Sequence, residues 1–186
     1  MKLKLRIYGD PVLRQKATAV AKADDRIRQL ASDMLETMYA EEGIGLAAQQ
    51  VGEPIALCVV DVPAKGDTDE EGVRFNPDAA MPLVLINPKI VESSEDTDVY
   101  EEGCLSFPDI RANIERPWEV VVQYLDRDGK PQEGRFCAMV GRCIQHEMDH
   151  LEGVLLSDRM SAVKKIAISG RLKRLRLQTQ EDLGLL

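Results

Sequence analysis

The chain contains two histidines, and both lie in the stretch Gln145-His146-Glu147-Met148-Asp149-His150-Leu151-Glu152-Gly153. On a helix, residues four apart share one face. Two imidazoles on one face can hold a single metal ion. A glutamate directly after the first can move protons on a water at that ion. The bland alternative is a pair of surface histidines that happen to fall at this spacing. What separates the two is a third ligand and a fold that brings it to the helix.

There is no third histidine. The run matches the start of the longer H-E-x-x-H-x-x-G-x-x-H pattern of metzincin proteases, but its last position is Leu156, which excludes that family. Cys143 precedes His150 by seven residues, roughly 10 Å along a helix axis at 1.5 Å per residue. Metal bonds of about 2.1–2.3 Å cannot span that distance, so Cys143 is better placed to line a wall one turn before His146. Cys58 sits inside an apolar run as core packing, and Cys137 lies near a strand end. Cys104, between Gly103 and Leu105, is in a tight segment where a loop or strand edge could present a thiolate. Spacing alone favours Cys104 only modestly over Cys137 or a carboxylate.

Apolar periodicity outlines the elements around this run. Residues 3–8 alternate and predict a short strand. Asp10-Pro11 marks a turn. From Asp25 to Glu42, Ile27, Leu30, Ala31, Met34, Leu35, Met38 and Tyr39 form a helical stripe that Gly43 should end. Gly43-Ile44-Gly45-Leu46-Ala47-Ala48 fits the dinucleotide pattern G-x-G-x-x-A, with Asp61 beyond. That fingerprint follows a strand and opens a helix. Here a helix precedes it and Pro54 leaves little room for one after it, so a loop exposing bare backbone to a ligand is the better reading. Ile55–Val62 predicts a buried strand, and residues 63–82 a long exposed loop. Leu83–Val91 predicts a strand interrupted at Asn87-Pro88. Residues 98–114 read as two short extended pieces around Cys104. Glu119–Leu125 is a strand, turning at Asp128-Gly129 into another near Glu133–Ala138. Met139 to Glu152 reads as a helix ended by Gly153, which puts the histidine pair on a helix. A last helix is expected over 161–178, capped by Ser161 and weakened by Gly170. No repeat or domain boundary is visible, so residues 1–186 are expected to form one domain.

Composition narrows the class. Hydrophobic residues make up 44% of 186, enough for one sizeable core. No apolar run approaches the roughly 20 residues of a membrane span. The start, Met1-Lys2-Leu3-Lys4-Leu5-Arg6, lacks the core of a signal peptide. A cytoplasmic protein is expected, or an organellar one if a transit segment was removed. The four cysteines are then thiols or ligands rather than disulfides. Net charge is −8, yet Arg159 to Arg176 holds seven basic residues and no acid. That basic segment suggests a negative partner, with a solvated helix face as the alternative.

Three motifs in order carry a resemblance. Gly43-x-Gly45-x-Ala47-Ala48-x-Gln50, Glu102-Gly103-Cys104-Leu105-Ser106 and His146-Glu147-x-x-His150 are similar to those of the peptide deformylases, as is Asp10-Pro11-Val12-Leu13-Arg14. The resemblance spans about residues 5 to 160. It implies an α+β fold, with mixed, mostly antiparallel strands around a central helix carrying HExxH and a C-terminal helix. It implies a hydrolase that removes the N-formyl group from the formyl-methionine of nascent bacterial or organellar peptides. Cys104, His146 and His150 would bind one divalent ion: Fe²⁺ in the cell, with Zn²⁺, Ni²⁺ or Co²⁺ as substitutes. Glu147 would act as general base and acid on the water at that ion, and Gln50 with the Leu105 N–H would donate to the oxyanion. Ile44, Gly45, Gly103, Met139 and Cys143 would line the substrate. Arg142 would rim the pocket or face solvent. Arg111 and Arg116 would touch the peptide or pair with Glu102, and Asp149 is as readily a surface residue as a support to the site. The basic C-terminal helix could dock on the ribosome; neither membrane nor DNA is expected as a partner. The rival readings are an HExxH metallopeptidase and a ribosome-associated protein with a structural metal.

Overall fold

The computed structural model describes residues 1–186. The first helix, α1 (Asp25–Ala40), starts where the Asp24 carboxylate accepts from the Ile27 N–H at 3.0 Å. Its buried side is Ile27, Ala31, Met34 and Met38, a spacing that keeps one stripe on the core. The helix stops before Gly43. Glu42 takes the left-handed turn at φ 55°, and the Gly43 N–H returns to the Met38 carbonyl at 2.9 Å.

Strands β1 (Gly45–Ala47), β2 (Leu57–Val60) and β3 (Leu83–Ser93) follow, then β4 (Thr97–Gly103) and β5 (Arg111–Pro117), then β6 (Glu119–Leu125) and β7 (Pro131–Cys137). Five of them form one sheet in the order β1-β2-β3-β6-β7, and β4-β5 form a separate hairpin. Every ladder is antiparallel. The β2 residues are all fully buried because the strand has a core on each face. Leu57 and Val59 pack with the α1 stripe, while Cys58 and Val60 pack on the other side with Val140, Cys143 and Ile144. Those last three belong to α2 (Ala138–Leu151), the central helix. A third cluster joins Leu13, Phe107, Ile110 and Ile114 to Leu155, Leu156, Met160 and Leu172.

Two expectations need correction and two need refinement. Residues 3–8 do not form a strand. The Arg6 N–H donates to the Gln50 carbonyl and the Tyr8 N–H to the Ser106 carbonyl, both at 2.8 Å, so this segment ties two loops together instead of joining a ladder. The strand interrupted at Asn87-Pro88 continues as one element to Ser93, but its ladder to β6 does lose register between Ile86 and Lys89, with Asn87 at φ 52°. Residues 63–82 are largely exposed, yet Asp67 and Asn76 are buried. Asp67 accepts from Arg74 Nε at 3.2 Å and from Asn76. Asn76 in turn bonds both backbone groups of Cys137, at 2.9 and 3.1 Å, and so fixes the residue that leads into α2. Finally, the C-terminal segment is three helices: α3 (Leu156–Arg159), α4 (Ala162–Ala167) and α5 (Ser169–Asp182). Ser161 caps α4 through the Lys164 N–H, and the chain breaks at Ile168, two residues before Gly170.

Candidate active site

Helix α2 is buried on nearly every side, which is unusual for a helix carrying Arg142, Gln145, His146, Glu147 and His150 in its buried set. Buried polar groups need partners, and the partners define the site. The two imidazole centroids are 5.3 Å apart. The hairpin β4-β5 brings Cys104, just past the end of β4, against them, with Sγ 3.2 Å from His150 Nε2. One donor atom from each of Cys104, His146 and His150 lies within 4.8 Å of the other two. A thiolate and two imidazoles are a donor set that suits a divalent transition metal. Burial pushes the thiols of Cys58 and Cys143 well up, so these stay protonated and apart from the group.

Glu102 stands behind His146. Its Oε2 lies 2.9 Å from His146 Nδ1 and accepts from Arg116 Nη2 at 2.9 Å. Its Oε1 accepts from Arg116 Nε at 2.6 Å and Arg142 Nη1 at 2.7 Å. Burial opposes the Glu102 charge, but His146 and Arg116 outweigh it and hold the carboxyl well below the usual range. A carboxylate fixed in this way orients the ring and turns its other nitrogen toward Cys104. His150 Nδ1, by contrast, is buried with no partner.

Glu147 faces the other way. Its Oε2 is buried and unpartnered, and burial pushes its carboxyl up to about 7. Gly45 makes room for it: a Cβ there would meet the Glu147 carboxylate and stand 2.6 Å from Cys143 Sγ. Gln50 is 1% exposed on the short turn Ala48–Val51. Its Oε1 accepts from the Ala47 N–H at 2.8 Å, which aims Nε2 at Ser106 Oγ (3.2 Å) and Cys104 Sγ (3.5 Å). The Leu105 N–H, in the turn after Cys104, donates to no backbone carbonyl. A cavity of about 590 Å³ opens over these groups, and Ile44, Gly45, Gly103, Leu105, Met139 and Cys143 line it.

Of the site residues singled out in the sequence, all but the buried His150 line this cavity. The structure separates the alternatives left open for the arginines. Arg116 takes the pairing alternative, bonding Glu102 and also Asp149 at 2.9 Å. Asp149 supports it from behind, held in turn by Arg159. Arg111 stays exposed at the start of β5, beside Gly103 and on the cavity. Arg142 does not point to solvent: it lies at the cavity, 3% exposed, with both Nη1 and Nη2 bonded. Tyr100, which spacing did not mark, lies at the cavity with its ring 5.9 Å from the Arg142 guanidinium. The strand alternation Tyr100–Glu102 was the signal that could have found it.

Comparison with known proteins places the chain in a family. A family model described as polypeptide deformylase matches residues 2–166. The chain is 48% identical over 168 residues to the peptide deformylase of Rhizobium meliloti, covering 90% of each. Among solved structures, the Ehrlichia chaffeensis peptide deformylase superposes with a TM-score of 0.84 at 36% identity, covering 98% of this chain and 99% of that one. The Synechococcus elongatus peptide deformylase, solved in complex with actinonin, gives 0.78 at 43% identity, covering 90% and 85%. The chain belongs to the polypeptide deformylase family of enzymes.

Proposed function

We propose that the chain hydrolyses the N-terminal formyl group of formyl-methionyl peptides, releasing formate and a free amine. The observation that carries this reading is the meeting of Cys104, His146 and His150 with an unpartnered buried Glu147 carboxylate beside them. Three protein donors, rather than four, are the complement of a catalytic site and not of a closed structural one. This donor set fits a single divalent ion held by Cys104, His146 and His150, with Fe²⁺ as the cellular ion and Zn²⁺, Ni²⁺ or Co²⁺ as working substitutes. Such an ion, when bound, lowers the pKa of water and draws charge from a carbonyl oxygen.

The chain's own groups supply the rest. Glu147 takes a proton from the water that adds to the formyl carbon and delivers it to the departing nitrogen as the C–N bond breaks. Gln50 Nε2 and the Leu105 N–H donate to the formyl oxygen as it becomes anionic. The peptide lies extended along Ile44-Gly45 and Gly103, where missing side chains let backbone approach backbone. Its methionine enters the cavity between Ile44, Met139 and Cys143. The nascent chain is the substrate, encountered where translation starts on formyl-methionine, in the bacterial cytoplasm or an organelle. No helix is long and apolar enough to cross a membrane.

The test is anaerobic loading with Fe²⁺ or Ni²⁺, followed by formate assay on formyl-Met peptides and their unformylated forms. Cleavage of the unformylated peptide would favour the metallopeptidase reading. Formate release that survives Glu147→Ala at full metal occupancy would refute the mechanism.

We further propose that α4 and α5 meet ribosomal RNA. Only Leu172 and Thr179 are buried there, and Lys164, Lys165, Lys173 and Arg174 are exposed, while Arg171 lies 3.9 Å from Asp109. A truncation after Asp158 would strip Met160 and Leu172 from the third core. Charge reversal of Lys164, Lys165, Lys173 and Arg174 is therefore the cleaner test. Co-sedimentation with ribosomes should fall in the variant and with added salt; unchanged binding would dismiss the interaction.

A further inference from the structure

Arg142, like Arg116, is a buried cation at the site that the reaction does not use. It sits on α2, one turn before His146, and reaches across to the separate hairpin. Its Nη1 donates to Glu102 Oε1 at 2.7 Å and to the Ile114 carbonyl at 3.0 Å. Its Nη2 donates to the Asp98 carbonyl at 2.9 Å and to the Asp98 carboxylate. The guanidinium therefore grips both strands, β4 through Asp98 and Glu102 and β5 through Ile114, while Tyr100 covers it. The hairpin needs such a grip because it has no ladder to the five-stranded sheet. It also carries Cys104, the donor contributed from outside α2, and Gly103 on the cavity wall.

We infer that Arg142 is a positioning residue: its four-bond clamp fixes the β4-β5 hairpin on α2 and thereby sets Cys104 Sγ against the histidine pair. The inference rests on the proposed metal role of Cys104. A planar guanidinium suits the task, because its donors diverge at fixed angles toward two strands at once. A lysine ammonium can satisfy Glu102 or Asp98, but not both with Ile114 as well. Glu102 keeps Arg116 and His146 when Arg142 is removed, so the loss falls chiefly on the hairpin.

The experiment uses the full chain loaded with Co²⁺, whose thiolate-to-metal absorption reports Cys104 ligation. Metal release into excess chelator is followed with the thermal midpoint of the metal-free protein. Arg142→Met should speed cobalt release by roughly tenfold or more, the scale on which supports behind a ligand act, and weaken the thiolate band. Arg142→Lys should recover part of both. If Arg142→Met does not fold, Asp98→Ala carries the test: it removes one anchor on a half-buried residue and should speed release severalfold. A release rate and band like those of the unsubstituted protein, in whichever variant folds, would overturn the inference even if the thermal midpoint falls. A thiolate band missing from the unsubstituted protein would instead overturn the ligand assignment on which it rests.

Discussion

Two charged regions of this chain are built in opposite ways. Around α2, His146, Glu147, Glu102, Arg116 and Arg142 are all buried, and each polar atom but a few has a named partner. In α4 and α5, which begin eleven residues after α2 ends, the charges face water and the apolar Val163 and Ile166 are 80% and 74% exposed. The buried cluster is costly to desolvate and is held only by near-complete pairing, so single losses there are severe. The exposed helices lose little with any one charge, because water already screens it. The same residue types therefore give geometry in one place and a diffuse field in the other.

The largest break should come at Glu147. Glu147→Gln keeps the shape but removes the proton acceptor. Formate release should fall by about 10²–10⁴-fold with metal content unchanged, as measured by steady-state assay beside metal analysis. Next is Glu102→Gln, which leaves two buried arginines short of charge and His146 weakly oriented. Metal affinity should drop roughly 10–100-fold in a chelator competition. Gly45→Ala places a methyl where Glu147 and Cys143 stand, so kcat/KM should fall by about tenfold or more while circular dichroism stays native.

The exposed side gives smaller effects. Burial opposes ionisation of Asp158, yet Arg14 and the Leu155 N–H outweigh it and hold its carboxyl below the usual value. A depressed folded-state pKa means this contribution is present above the unfolded value, about 3.9, and lost as pH falls through the folded one. Asp158→Asn should thus lower the thermal midpoint at pH 7, with the gap to the parent closing in acid. Reversing Lys164 or Lys173 should shift stability by no more than about 0.5 kcal/mol in urea unfolding. A larger loss there would erase the contrast between the two regions.

Legibility followed the same divide. The helical stripe of α1 and the histidine pair on α2 were visible, because period 3.6 and a spacing of four are local properties. The segment 3–8 misled because alternation marks an extended chain but not its partner; its N–H groups go to Gln50 and Ser106, distant in sequence. The break at Ile168 was missed since helix propensity across 161–178 is adequate and the kink lies in how Leu172 reaches the third core. Arg142 was undecidable from spacing, for a position next to an apolar face is buried only if something receives its charge.

Residue types and short spacings, then, placed two imidazoles and a carboxylate together on α2, an arrangement that can be read without a fold. They left the third donor open among Cys104, Cys137 and a carboxylate. That choice belongs to the packing of a detached hairpin on the central helix, which brings Cys104 to His150 across 46 positions of sequence and fills the space behind with Glu102, Arg116 and Arg142. Contacts of that range depend on the whole folded chain, because no local propensity encodes which strand end will meet which helix face.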